Sequence, residues 1–97
     1  MTGCIVGWAH GKFGRHEGRD VESLIVEVAE SALADAGIGA ADIDAVYLGT
    51  MNGGFVKQEF PASLVFQADP AFRFKPATRV ENACATGSAA IHMGLNT

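Results

Sequence analysis

The chain has 97 residues, 48% hydrophobic and 19% charged, which fits one modest globular domain and excludes a low-complexity or disordered chain. A net charge of −4 with scattered basic residues argues against nucleic acid as a partner, because phosphate binding needs a basic surface. No apolar run reaches the roughly 18 residues of a membrane span, and the opening MTGCIVGWAH lacks a basic n-region and a long apolar h-region, so a cytoplasmic protein is expected.

Thr2 to Ala9 is apolar, partly β-branched and bounded by glycines, the pattern of a buried first strand. The polar loop HGKFGRHEGR follows. It is no phosphate loop, since Lys12 precedes Phe13 where a Ser or Thr is needed. Asp20 is placed to cap a helix running to about Ala36, with Val21, Leu24, Ile25, Val28, Ala29, Ala32 and Ala36 repeating at helical steps and Gly37 as the stop. Ile43 to Gly49 reads as the next strand, followed by the glycine-bearing loop TMNGGFVKQ.

A second helix is expected from about Glu59 to Ala68, with Pro61 in its first turn and Asp69-Pro70 ending it. AFRFKP reads as a loop with two exposed aromatics. Ala77 to Asn82 is the third expected strand, and a third helix is expected from Cys84, still running near Thr97. Strand and helix alternate throughout, which predicts an α/β fold with parallel strands and right-handed crossovers. Reactive groups on such sheets gather at the carboxyl ends of strands, where Cys84 falls.

The two cysteines, Cys4 and Cys84, show no CxxC spacing and make no zinc site; a reducing compartment keeps both as thiols. The first turn of a helix carries unsatisfied N–H groups and the positive end of the helix dipole, both of which favour a thiolate, the reactive form. The same N–H groups can stabilise an oxyanion on an acyl group held by sulfur. Small neighbours (Ala83, Ala85, Gly87, Ser88, Ala89, Ala90) leave room for a substrate and for close helix packing. Position alone leaves open whether Cys84 reacts or packs as a small apolar residue. Cys4, inside the expected first strand, reads as structural.

The run from Val80 to Ala90, with Cys84-Ala85-Thr86-Gly87-Ser88 at its centre, resembles the nucleophile motif of the thiolases, particularly the sterol-carrier-protein-linked branch. GKFG, residues 11–14, and IDAVYLGTM, residues 43–51, agree in order and spacing, so the resemblance spans essentially the whole chain. Ketoacyl synthases and hydroxymethylglutaryl-CoA synthases share the fold but place other residues after the cysteine.

The resemblance implies a thiolase-like fold of five layers, helix–sheet–helix–sheet–helix, with the nucleophile helix central. It implies that residues 1–97 are part of the N-terminal half, ending within that helix. It further implies an acyl-CoA C-acyltransferase of lipid or fatty acid metabolism, without a resident metal or cofactor, using coenzyme A thioesters as substrates. Cys84 would carry the acyl group through a Claisen condensation or its thiolytic reverse. The assembly implied is a homodimer or tetramer, with the strand Thr78 to Asn82 near the two-fold interface.

The family's activating histidine, second cysteine and further oxyanion donor come later in the chain, so this stretch alone is expected to be inactive. His92 does not replace them: eight residues along a helix place it about 12 Å from Cys84 and turned by about 80°. It reads as a packing or interface residue, His10 and His16 as solvated loop residues. Asn82 is expected to tie the strand–helix turn with its side chain; a catalytic role for Glu81 is weakly indicated. A parallel sheet also needs cover on both faces, which two and a half helices do not supply. A longer thiolase-like polypeptide is therefore expected. The alternatives are a non-catalytic subunit of the same fold, in which Cys84 only packs, and a related condensing synthase.

Overall fold

The computed structural model of the chain describes residues 2–50 and 61–97. Most of the expected loop of residues 50–58, and Glu59 and Phe60 at the expected start of the second helix, lie outside the described residues.

Helix α1 spans Val21–Ala36 and is set by local chemistry at both ends. At the N-terminus, Asp20 Oδ1 accepts from the Ser23 backbone N–H at 2.8 Å, while the Asp20 N–H donates to Ser23 Oγ at 3.1 Å. This reciprocal pair satisfies donors that the first turn leaves open. Arg19 reinforces the turn through Ser23 Oγ at 3.0 Å and Glu27 at 3.3 Å. At the other end Gly37 adopts a left-handed φ of 71°, and the N–H groups of Gly37 and Ile38 reach the carbonyls of Ala34 and Leu33. A glycine adopts that conformation without a Cβ penalty.

The Ser23 backbone N–H, and then the Ser23 hydroxyl, hold the Asp20 carboxyl below its ordinary value of 3.8. A carboxylate with a depressed folded pKa stabilises the fold above the unfolded value; that contribution is lost as pH falls through the folded one. Asp20→Asn keeps an acceptor oxygen but cannot titrate. It should flatten the fall in thermal midpoint below pH 3.8, read by circular dichroism, with α1 intact at pH 7.

Two short strands, β1 (Val46–Gly49) and β2 (Ala77–Val80), pair in parallel with Val46 opposite Ala77 and Gly49 opposite Val80. Both are shorter than expected. Ile43 follows a 3-10 turn, Ala40–Asp42, rather than extending β1. Glu81 and Asn82 leave the ladder to form the turn after β2. Helix α2 runs from Thr86 to Leu95, packs on both strands, and closes as the Asn96 N–H bonds to the His92 carbonyl at 3.0 Å. It thus stops short of the expected run to Thr97, whose hydroxyl bonds the Tyr47 hydroxyl and donates to the Met93 carbonyl at 2.9 Å.

Two expected elements differ in form. The second helix is a 3-10 segment over Pro61–Gln67, which touches α1 and both strands and contributes the buried Pro61, Ala62 and Val65. So short an element forms few hydrogen bonds for the backbone freedom it loses, and tertiary contacts decide its winding. Asp69 is extended, as a residue before proline prefers, and its carboxylate caps a further turn, Pro70–Phe72, through the Ala71 N–H at 2.8 Å.

The expected first strand, Thr2 to Ala9, joins no ladder among the described residues. The Trp8 N–H donates to Asp35 Oδ2 at 3.0 Å, and Gly7 lies so close to α1 that a Cβ there would meet Ala36 Cβ at 2.6 Å. The segment therefore lies along the end of α1, with Ile5 85% and Trp8 68% exposed, and Cys4 is exposed rather than packed. A strand needs a neighbour's hydrogen bonds, and here the strand's N–H goes to a side chain.

The core centres on Ala40, Val65 and Phe72, with Ile25, Ala29, Leu33, Ile43 and Val46 packed around it. Phe72 is 3% exposed and Phe74 is 95% exposed, so only one of the two aromatics expected on the surface lies there. Beside this core runs an open apolar groove of about 290 Å³, lined in part by Val6, Ala32, Leu33 and Ile38. No helix among the described residues is long and apolar enough to cross a membrane.

Candidate active site

Cys84 sits in a 3-10 turn, Ala83–Ala85, between the end of β2 and the start of α2. The helix begins at Thr86, two residues later than expected, so the cysteine stands in the approach to the helix and not in its first turn. Its side chain is exposed. A Cβ built on Gly87 would meet nothing within 4 Å, so the small residues beside the thiol leave open space there.

The turn is held by bonds that the sequence did not point to. Ala83 has a left-handed φ of 45°, a conformation that costs a non-glycine residue roughly 1–2 kcal/mol. Its N–H donates to the Glu81 carboxylate at 2.5 Å. Its carbonyl accepts from the Thr86 hydroxyl at 2.6 Å, and Thr86 Oγ1 in turn accepts from the Asn82 N–H at 2.9 Å. Asn82 makes no capping bond with its own side chain, contrary to expectation; the Thr86 hydroxyl ties the turn instead, through the Asn82 N–H and the Ala83 carbonyl. Glu81 acts on the backbone of this turn. Among the described residues Thr86 is the buried polar side chain, 8% exposed. A threonine two positions after the cysteine, at a helix start, was the available signal, since Ser and Thr hydroxyls there bond back to the backbone.

Across the sheet, Gly49 makes room for this arrangement. A Cβ on Gly49 would lie 2.7 Å from Thr86 Cγ2 and 3.2 Å from the Thr86 carbonyl oxygen. The glycine is needed here for close approach.

The remaining candidates lie elsewhere. The His10 ring stacks edge-on with Trp8 and Phe13, and His10 lines a small recess with Glu27, Val28 and Ser31 of α1. His16 Nε2 bonds the Lys12 carbonyl at 2.6 Å. His92 is exposed on α2. The scattered cations serve local structure: Lys75 reaches the Ala41 carbonyl at 3.2 Å and Arg79 the Thr50 carbonyl at 3.2 Å.

Comparison with known proteins shows the family of the chain. The family profile described as "Thiolase, N-terminal domain" matches residues 4–97. An acetyl-CoA acetyltransferase of Methanocaldococcus jannaschii is 44% identical over 93 residues, covering 95% of this chain and 24% of the relative. An acetyl-CoA acetyltransferase of Methanothermobacter thermautotrophicus is 41% identical over 94 residues, with the same coverage. The chain thus spans about a quarter of the length of these relatives. With the profile matching nearly every residue from Cys4 onward, the chain belongs to the thiolase N-terminal domain family.

Proposed function

We propose that residues 1–97 supply the acyl-accepting cysteine of an acyl-CoA C-acyltransferase of thiolase type. The observation that carries this reading is the exposed Cys84 between β2 and α2, in a chain more than 40% identical to two acetyl-CoA acetyltransferases over 95% of its length. The Cys84 thiolate attacks the thioester carbonyl of an acyl-CoA, the sulfur–acyl bond forms, and coenzyme A leaves as its thiolate. A second acyl-CoA, as its α-carbanion, then takes the acyl group in a Claisen step and frees the sulfur; thiolysis of a 3-ketoacyl-CoA is the reverse. A covalent intermediate divides one difficult step into two easier ones.

In this reading the histidine, second cysteine and further oxyanion donor are supplied outside residues 1–97, in a polypeptide of the five-layered thiolase fold. The open apolar groove and the exposed Ile91, Met93 and Leu95 of α2 support it, since such surfaces are covered in a larger assembly. A two-fold assembly through the strand Thr78 to Asn82 is part of the same proposal; exposed Thr78 and Arg79 on β2 are compatible with it. The test is incubation of the full polypeptide carrying these residues with acetyl-CoA, followed by peptide mass spectrometry. One acetyl group on the Cys84 peptide, removed by hydroxylamine, is expected; an unmodified Cys84 under turnover overturns the reading.

A further inference from the structure

We infer that Thr86 is the positioning residue of the Cys84 turn: its hydroxyl bonds to the backbone on the N-terminal side of the cysteine, while its methyl group is seated against Gly49 of the neighbouring strand. The inference rests on the reading of Cys84 as the acyl-accepting nucleophile and adds what holds that nucleophile in place.

Three observations converge on this residue. Thr86 Oγ1 accepts from the Asn82 N–H at 2.9 Å and donates to the Ala83 carbonyl at 2.6 Å, so one hydroxyl binds both residues that lead into Cys84. Ala83 holds a left-handed φ of 45°, which persists only where neighbouring groups over-determine it. The Thr86 bond to its carbonyl, together with the Glu81 bond to its N–H, provides that constraint. Thr86 is also buried, and its Cγ2 occupies the space that a Cβ on Gly49 would enter. The hydroxyl therefore fixes the turn, and the methyl fixes the hydroxyl to the sheet. An exposed cysteine is otherwise free to sample many orientations, and a reacting sulfur gains from having few.

The two halves of the side chain separate experimentally. Thr86→Val keeps the shape and removes the hydroxyl; Thr86→Ser keeps the hydroxyl and removes the methyl. The readout is the rate of iodoacetamide alkylation at Cys84 in the full polypeptide carrying these residues, with exposed Cys4 as the reference thiol in the same molecule. Thr86→Val should lower the Cys84-to-Cys4 ratio about tenfold, the scale of one or two hydrogen bonds, and Thr86→Ser should stay within about twofold of the parent. A merely structural threonine would lower the thermal midpoint in both variants and leave the ratio unchanged.

Should Thr86→Val fail to fold, Gly49→Ala approaches from the other strand. It should lower the same ratio, and adding Thr86→Ser should restore much of it by removing the methyl that the new Cβ meets. A ratio unaffected by Thr86→Val and Gly49→Ala, or a parent Cys84 no faster than Cys4, overturns the inference. Failure of the catalytic reading is seen separately, as absence of an acetyl group on Cys84 in the full polypeptide.

Discussion

Replacing Cys84 by alanine is expected to abolish acyl-thioester formation, and Cys84→Ser to leave at most about a thousandth of the acetyl-CoA turnover of the full polypeptide, the scale on which loss of a covalent nucleophile acts. A serine hydroxyl at the same place is far less acidic than a thiol and lacks the polarisable sulfur that makes the thiolate reactive. The exposed position of Cys84 means that neither change opens a core cavity, so a loss of turnover can be read as chemistry. Cys4 provides the control: it is also exposed but lies in the N-terminal segment, outside any ladder among the described residues, and Cys4→Ser should leave turnover unchanged. A hydroxylamine-labile acetyl group that survives in Cys84→Ala would refute the assignment. The measurements are steady-state thiolysis and peptide mass spectrometry on each variant.

The largest effect on stability is expected at Phe72. This ring is 3% exposed and packs with Ala40 and Val65 at the centre of the described core. Truncation to alanine removes the ring's contacts and leaves a void that so small a core cannot close. Such substitutions cost about 3–5 kcal/mol, and a domain of this kind has about 5–15 kcal/mol in total. Phe72→Ala should therefore shift a urea midpoint far down or prevent folding. Phe74→Ala, two residues away on a ring that is 95% exposed and touched by the Arg73 guanidinium at 5.7 Å, should change stability by no more than about 1 kcal/mol. Equal midpoint shifts in the two variants would show that the core is not centred where Phe72 lies.

These two phenylalanines also mark where sequence reading runs out. Helix α1 was legible to the residue at both caps, because Asp20 and Gly37 act on backbone groups within one turn. The parallel pairing of β1 with β2 followed from the alternation of elements. Phe72 and Phe74 are the same residue in the same short loop, and only contacts with distant Ala40 and Val65 separate them. The segment Thr2 to Ala9 has a strand's composition, yet strand formation depends on a partner's hydrogen bonds, which composition does not specify. At the candidate site, Cys84 and its place between strand and helix were readable from the run of small residues. The later helix start and the left-handed Ala83 were not, because they arise from how the turn closes, with Thr86 seated against Gly49 on another strand.

The left-handed backbone of Ala83 bears on which mutations this chain can accumulate. A residue at φ 45° tolerates glycine, asparagine or aspartate, whereas valine, isoleucine or threonine collides with its own backbone there. Saturation mutagenesis at position 83, scored by survival of a host that depends on the protein, should therefore sort replacements by branching at Cβ and hardly at all by polarity. Position 83 should then prove almost as intolerant of branched replacements as the proposed nucleophile beside it is of any replacement.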